Sequence, residues 1–186
     1  MSTLTALVPV ADGTEEIEAV TVVDTLRRAG ITVTVAAVGA DLAVTCSRGV
    51  RLVADRLLDD LAGQTFDLIA LPGGLPGAAH LRDSPALTAL LRGQHARGAL
   101  IGAICAAPVV VLLHHGLLDG RAATCFPALA DRLPAGQLRR DPVVVDGSLV
   151  TSRGPGTALE FALALVEQLA GASVRARVAG PLLAAD

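Results

Sequence analysis

Short apolar runs that end at turns containing glycine or proline alternate along this chain with segments of helical pattern. The runs are apolar on both faces, which is typical of parallel strands covered by helices, and they span residues 4–10, 31–38, 67–71 and 99–104. This alternation predicts an α/β fold, a flavodoxin-like three-layer sandwich with a mostly parallel central sheet. A barrel is disfavoured because it usually needs about 250 residues. The chain has 186 residues, which suits one domain over residues 1–186.

Helix and turn signals place further elements between these strands. Thr14 predicts a helix cap, and Gly30 predicts the end of the same helix. Thr157 and Glu160 form a predicted capping box for a last helix that runs to about residue 170. Other predicted elements are a helix opening at Ser84, a helix over residues 106–115, a hairpin-like segment over 41–53 and a tight hairpin turned by Asp146 and Gly147.

Composition and charge exclude several function classes. The formal net charge is −3, both signs are interspersed and 2% of residues are aromatic, so no dedicated nucleic-acid site is expected. The longest apolar stretch, residues 99–113, is shorter than the roughly 20 residues that cross a bilayer, so no membrane association is expected. The first residues lack the pattern of an export signal, and the three cysteines lack CxxC spacing. Together these features favour the cytoplasm and predict neither disulfides nor zinc.

A cysteine stands at the junction of a buried strand and the helix predicted to follow it. Cys105 comes directly after the run 99–104, and its neighbours Ala103, Ala106 and Ala107 are small. A tight strand-to-helix turn exposes the side chain at its apex, and the N-terminus of the helix favours the thiolate. The spacing predicts a strand-to-helix nucleophile elbow, with an inert buried cysteine as the alternative.

Two further turns at the carboxyl ends of strands carry candidate site residues. The loop 71–77 holds Gly73 and Gly74, whose backbone N–H groups could approach a bound oxygen as an oxyanion hole. A tight turn that needs positive φ is the alternative for this loop. Glu18 lies among apolar neighbours in the first predicted helix, where burial would raise its pKa and keep a proton available. We therefore predict that Glu18 is the acid–base group.

The sequence offers neither a histidine base nor a metal site. His114 and His115 follow Cys105 by nine and ten residues on one predicted helix, which puts them at least about 14 Å away along its axis. We expect both at a solvated helix end, and we expect His80 and His95 to be exposed. The spacing of the histidines, cysteines and acidic residues matches no metal motif, so no metal is expected.

Six segments in a fixed order carry a family resemblance. They are GTEEIE at 13–18, RRAGI at 27–31, CSR at 46–48, LPGG at 71–74, AICAAP at 103–108 and TSRGPGT at 151–157. Together they resemble the DJ-1/ThiJ/PfpI superfamily, specifically its DJ-1-like and bacterial ThiJ (YajL-like) branch. The resemblance spans essentially the whole chain and implies a flavodoxin-like sandwich that forms a homodimer.

The resemblance also implies roles for particular residues. Cys105 matches the reactive elbow cysteine, and Glu18 matches a protonated carboxyl that hydrogen-bonds its sulfur. The backbone N–H groups of Gly74 and Ala106 match the oxyanion pocket. Two arginines, Arg28 and Arg48, match positions near the dimer interface and the site.

Function follows from the resemblance as an expectation. It implies a cofactor-free, glutathione-independent glyoxalase or protein deglycase that acts on methylglyoxal-type dicarbonyls or on their early adducts in glycated proteins. The alternative is an oxidative-stress sensor or redox-regulated chaperone that uses the same cysteine, and a member with an inert site is a third reading. Ala106 stands where protease-like members carry histidine, which disfavours a peptidase. Phe126 stands where DJ-1 has a histidine lining the site, so any catalysis rests on Cys105 and Glu18.

Overall fold

A seven-stranded sheet in the order β5-β2-β1-β6-β7-β9-β8 forms the centre of the molecule in a computed structural model, which describes residues 3–118 and 120–184. Its strands are β1 (Thr5–Val10), β2 (Thr32–Ala37), β5 (Arg56–Leu57), β6 (Leu68–Leu71), β7 (Leu100–Ile104), β8 (Val143–Asp146) and β9 (Leu149–Ser152). All neighbours pair in parallel except β8 and β9. Counting only β1, β2, β6, β7 and β9, the order is second, first, third, fourth, fifth, which is the flavodoxin arrangement.

Helices cover both faces of this sheet, which confirms the predicted three-layer sandwich. One core cluster joins the sheet to α1 (Glu16–Arg28) and α4 (Ala158–Ala170), and α5 (Ala172–Ala179) packs on α4. The opposite cluster joins the sheet to α2 (Gly77–Asp83), α3 (Pro85–Ala96) and the segment Pro108–Leu113. Successive strand residues alternate between the clusters, because side chains of a strand point to opposite faces. In β1, for example, Leu7 belongs to one cluster and Val8 to the other.

Several local predictions are confirmed. The hairpin-like segment over 41–53 is an antiparallel pair, β3 (Ala43–Thr45) with β4 (Arg51–Val53). The tight turn between β8 and β9 has Gly147 at φ +59°. Ser84 caps α3, since its hydroxyl accepts a hydrogen bond from the Leu87 N–H at 3.2 Å.

The predicted cap at Thr14 is wrong, whereas Thr157 stands at the predicted N-cap position of α4 but does not form the predicted capping box. The Thr14 hydroxyl accepts from the Ala11 N–H at 2.9 Å and so closes the turn after β1, while the cap of α1 is Glu15. Thr157 makes no capping hydrogen bond to α4; its hydroxyl lies 2.6 Å from the Ser152 hydroxyl. In both places the threonine hydroxyl forms a hydrogen bond with a residue that precedes the helix, and not with the helix itself.

The helix predicted over residues 106–115 is also not an ordinary α-helix. Its regular part is a π-helix over Pro108–Leu113, preceded by a turn. Pro108 at the start of this segment is compatible with either helix type, because an N–H at that position has no intrahelical partner. Within the described ranges, no helix is both long enough and apolar enough to span a membrane.

Candidate active site

Cys105 occupies a strained turn directly after β7. Its φ is +64°, and among the described non-glycine residues it shares positive φ only with Leu183 near the end of the chain. The turn is held from both sides: the Cys105 N–H donates to the Ser152 carbonyl at 3.0 Å, and the Phe126 N–H donates to the Cys105 carbonyl at 2.8 Å. Left-handed backbone at a non-glycine residue persists only where the surroundings enforce it. The backbone therefore has the predicted form of a nucleophile elbow.

Gly73 joins this elbow to the first helix. A Cβ atom at Gly73 would lie 2.6 Å from the Cys105 Cβ and 2.9 Å from the Ala106 nitrogen, so only glycine fits there. The Gly73 N–H donates to Glu18 Oε2 at 2.7 Å, and its carbonyl accepts from the Glu15 N–H at 3.0 Å. The missing side chain of Gly73 thus lets the elbow and α1 approach closely.

Glu18 is completely buried, in the first turn of α1. Its Oε1 atom has no hydrogen-bond partner of ordinary geometry in the part of the chain that the structure describes. Burial raises the pKa of Glu18 to about 7, against the lowering effect of the hydrogen bonds from the Gly73 N–H and the Cys105 thiol. The raised pKa predicted from the sequence is confirmed, and its cause is the predicted loss of solvation.

The sulfur of Cys105 contacts the groups that the family resemblance implies. It interacts with the Glu18 carboxyl and with the backbone N–H groups of Gly74 and Ala106. Burial, followed by the charge of Glu18, raises the pKa of the Cys105 thiol to about 12, while the two N–H groups act to lower it. The predicted preference for a thiolate is therefore wrong for the resting protein. Two amides do not compensate for lost solvation and an adjacent carboxylate.

A cavity of about 570 Å³ opens above this pair. Of the three cysteines, Cys105 alone lines it. Most lining side chains are apolar, and the polar ones are Glu15, Ser47 and Arg48. The lining residues are Glu15, Ile17, Ser47, Arg48, Gly74, Leu75, Cys105, Ala106, Phe126, Ala128, Leu129 and Pro155. A small electrophile can therefore reach the sulfur from solvent.

The structure brings one predicted arginine to the cavity and not the other. Arg48 and Phe126 line it, as predicted. Arg28 does not; it lies at the far end of α1, ten residues from Glu18, and pairs with Asp24 at 2.7 Å. Ten helical residues span about 15 Å, so Arg28 is not a site-lining residue of its own chain. Its assignment to a dimer interface stays a prediction.

Glu16 is a site-supporting residue that the sequence reading missed. Its carboxylate is buried and accepts from the Ser47 hydroxyl and the Arg48 N–H, each at 2.9 Å. Burial acts to raise the pKa of Glu16, but hydrogen bonds from its own N–H and from Ser47 and Arg48 lower it overall. In the sequence, the CSR segment at 46–48 could have indicated this role of Glu16, because its polar donors need an acceptor.

Histidines take no part in this cavity. None of the four lines it, and all four fall within the described ranges. His80 and His114 are exposed as predicted, whereas His95 and His115 are half-buried, which corrects the expectation for both. His115 Nε2 lies 2.9 Å from the Arg82 carbonyl, because packing against α2 covers this end of the π-helical segment. The described residues also hold no group of three or more potential metal ligands.

Comparison with known proteins places these features in a family. Residues 4–168 match the model of the DJ-1/PfpI family. The chain is 52% identical over 165 residues to protein DJ-1 homolog B of Arabidopsis thaliana, covering 89% of this chain and 38% of that protein, so it spans well under half of this relative. It is 43% identical over 167 residues to the glutathione-independent glyoxalase DJR-1.2 of Caenorhabditis elegans, covering 89% of this chain and 87% of that one. A solved structure, oxidized DJ-1 of Toxoplasma gondii, aligns with a TM-score of 0.98 and 48% identity over 99% of this chain and 100% of that chain.

Proposed function

The chain belongs to the DJ-1/PfpI family, and from this premise we propose that it is a cysteine-dependent glyoxalase that needs no glutathione. One observation carries the proposal: a cysteine on a strained elbow lies at the floor of an open cavity, against a fully buried glutamate and two backbone N–H groups. The name of the nematode relative supports the same activity. A buried acid beside a nucleophile supplies what an internal proton transfer needs.

The reaction moves a proton within the substrate and consumes one water. The Cys105 sulfur adds to the aldehyde carbon of an α-oxoaldehyde and forms a hemithioacetal, with the thiol proton passing to the new hydroxyl. Glu18 removes the hydrogen from this carbon as a proton and returns a proton to the neighbouring ketone carbon, while the hydroxyl proton passes to the ketone oxygen, which gives a 2-hydroxy thioester. Water then cleaves the carbon–sulfur bond and releases the 2-hydroxy acid and the thiol. One carbon is oxidised and its neighbour reduced, so the chemistry requires no redox cofactor or metal.

The raised pKa of Glu18 fits its role in proton transfer. With a pKa of about 7, Glu18 exists in both protonation states near neutral pH and can accept and return a proton. The N–H groups of Gly74 and Ala106 point at the sulfur, beside the position where the hemithioacetal oxygen would form. Because the cavity is open, early adducts of the same dicarbonyls on protein side chains are a second substrate class, which is the deglycase form of this proposal.

Lactate formation from methylglyoxal tests the proposal. We expect fresh, reduced protein to form lactate without glutathione, and we expect Cys105→Ser to form none because it lacks the thiol nucleophile. Cys125→Ser is the matched control, since Cys125 is buried outside this cavity. Loss of methylglyoxal without lactate, or equal lactate from the Cys105→Ser variant, would overturn the proposal.

A second candidate function is an oxidative-stress sensor or redox-regulated chaperone. Cys105 lines the large cavity, whereas Cys46 and Cys125 are buried away from it. A similar solved structure, that of Toxoplasma gondii DJ-1, is of the oxidized protein, which supports oxidation as a property of this chain as well. A sulfinate at Cys105 would accept hydrogen bonds from Gly74 and Ala106.

Peptide mapping after limiting peroxide tests this second candidate. We expect Cys105 to gain oxygen before the other two cysteines, because peroxide reaches it through the cavity. Earlier oxidation of Cys46 or Cys125 in the same digest would remove Cys105 as the sensor.

A homodimer is the remaining part of the proposal. Exposed apolar side chains gather on α1 and on the β3–β4 hairpin, among them Ile17, Val20 and Val53, which are 54%, 48% and 76% exposed. Apolar side chains clustered on one face are typical of interfaces between chains. This face supports the dimer that the family resemblance implies.

A further inference from the structure

Part of the cavity lining is apolar. The backbone of Phe126 lies beside the elbow, because its N–H donates a hydrogen bond to the Cys105 carbonyl at 2.8 Å. Its ring rests against Gly154, where an added Cβ would lie 3.6 Å from Phe126 Cδ2. The side chain is nevertheless 42% exposed, and it lines the cavity. An aromatic ring thus lines the same cavity as the Cys105 sulfur, with one part covered and the rest free.

Other apolar side chains continue this wall. Leu75 lines the cavity with 60% of its surface exposed, and Leu129 and Pro155 also contribute. We call Phe126, Leu75, Leu129 and Pro155 the apolar wall. Exposed leucine and phenylalanine in a concave site gain free energy when a ligand covers them, at roughly 25 cal/mol per Å². The apolar wall therefore favours an apolar group on the substrate.

Polar side chains form the remainder of the lining, and most are already engaged. The Glu15 carboxylate accepts from the Glu18 N–H at 2.9 Å, and the Ser47 hydroxyl donates to Glu16 at 2.9 Å. Among the described residues, the Arg48 guanidinium has no ion pair. A ligand that is polar at one end and apolar at the other matches this division.

The volume of the cavity also favours a ligand with a large apolar part. Pockets of about 300–1,000 Å³ accept ligands much larger than methylglyoxal, and this one measures about 570 Å³. The methyl group of methylglyoxal is too small to reach from the sulfur across the apolar wall. A larger apolar substituent can cover Phe126 while the dicarbonyl stays at Cys105.

We propose that this protein prefers α-oxoaldehydes with an aryl or similarly large apolar substituent, and that Phe126 is the residue that determines this preference. The inference rests on the proposed glyoxalase function and names its substrate class. The reaction is the one given above: an arylglyoxal and one water become an aryl 2-hydroxy acid, and the thiol is regenerated. Aromatic rings in offset or edge-to-face contact gain about 0.5–1.5 kcal/mol beyond their buried area.

Competing substrates test this preference. We measure kcat/KM for phenylglyoxal, as mandelate formed, and for methylglyoxal, as lactate formed, in the unaltered protein and in Phe126→Ala and Phe126→Leu. The ratio of the two constants is expected to fall about tenfold in Phe126→Ala and less in Phe126→Leu, because removing an apolar contact costs about 1–3 kcal/mol. The intrinsic reactivity of the two aldehydes cancels in this comparison between variants.

Controls separate the wall from general effects. Val145→Ala removes a similarly exposed apolar side chain on β8, outside the cavity, and should leave the ratio unchanged. Intact mass after each assay checks that phenylglyoxal has not modified arginine. Circular dichroism checks that each variant folds. We expect the Phe126 variants to fold, because this side chain is partly exposed.

A second readout does not depend on turnover. Mandelate is expected to protect Cys105 from iodoacetamide at about tenfold lower concentration than lactate, and Phe126→Ala should remove most of this difference. A phenylglyoxal-to-methylglyoxal ratio that is the same in the unaltered protein and in Phe126→Ala, with equal protection by both acids, would overturn the inference and leave the glyoxalase function standing. Absence of both product acids would instead overturn the glyoxalase function, and with it the substrate preference.

Discussion

Replacing Glu18 by glutamine is expected to lower lactate formation by at least about 100-fold while iodoacetamide alkylates Cys105 faster than in the unaltered protein. Glutamine keeps an oxygen acceptor for the Gly73 N–H but cannot accept and return a proton. It also removes the negative charge that, after burial, is the next largest factor raising the pKa of Cys105. Turnover and thiol reactivity should therefore change in opposite directions.

The measurement pairs a lactate assay with alkylation rates between pH 6 and about 9.5. In the unaltered protein the rate should rise throughout this range without a plateau, because the pKa of Cys105 is about 12. In Glu18→Gln it should be higher at each pH. Glu160→Gln, on the exposed face of α4, is the matched control. Retained turnover would remove Glu18 from the mechanism, and slower alkylation would show that its charge does not restrain the thiol.

The same substitution has an expected effect on stability. The pKa of Glu18 is raised from its ordinary value of 4.5 to about 7 on folding, so the folded state binds this proton more tightly than the unfolded state. Below pH 4.5 the group is neutral in both states. As pH rises through 7, ionisation of the buried group removes stability, up to about 3 kcal/mol. Urea unfolding at pH 5 and pH 8 should show a smaller loss in Glu18→Gln; an equal loss in both proteins would contradict the raised pKa.

Replacing Gly74 by alanine is expected to destabilise the protein by about 3 kcal/mol or more and to remove activity. Gly74 has φ +88°, which alanine adopts only with strain. An added Cβ would also collide with the Gly13 carbonyl oxygen and the Glu15 nitrogen, both backbone atoms that cannot move aside as a side chain can. Relief of this collision would move the Gly74 N–H away from the Cys105 sulfur.

Gly30→Ala provides the matched control. Gly30 has φ +81°, close to that of Gly74, but a Cβ there would meet no atom within 4 Å. Its expected cost is only the left-handed strain, about 1–2 kcal/mol. Urea unfolding and lactate formation are measured for both variants. Equal destabilisation would show that the close approach of the 71–77 loop to α1 contributes nothing beyond backbone strain.

Much of the architecture was predictable because it depends on local patterns. Apolar runs bounded by glycine and proline predicted β1, β2, β6 and β7, since a parallel strand covered on both faces needs no polar side. The position of Cys105 directly after β7 predicted the elbow. The capping hydrogen bonds predicted for the two threonines do not form, because each hydroxyl bonds to a residue that precedes the helix, which spacing alone does not reveal.

The candidate site, too, was predictable from the sequence only in part. Residue types and their positions after strands identified Cys105, Glu18 and the Gly73–Gly74 loop from the sequence. The tertiary structure alone decided their protonation, because Glu18 becomes buried only when Gly73, 55 residues away, closes over it. It also separated Arg28 from the cavity and assigned Glu16 to the Arg48 loop. Local sequence determines which groups arrive at the end of a sheet, whereas their charge depends on the solvent that distant segments exclude.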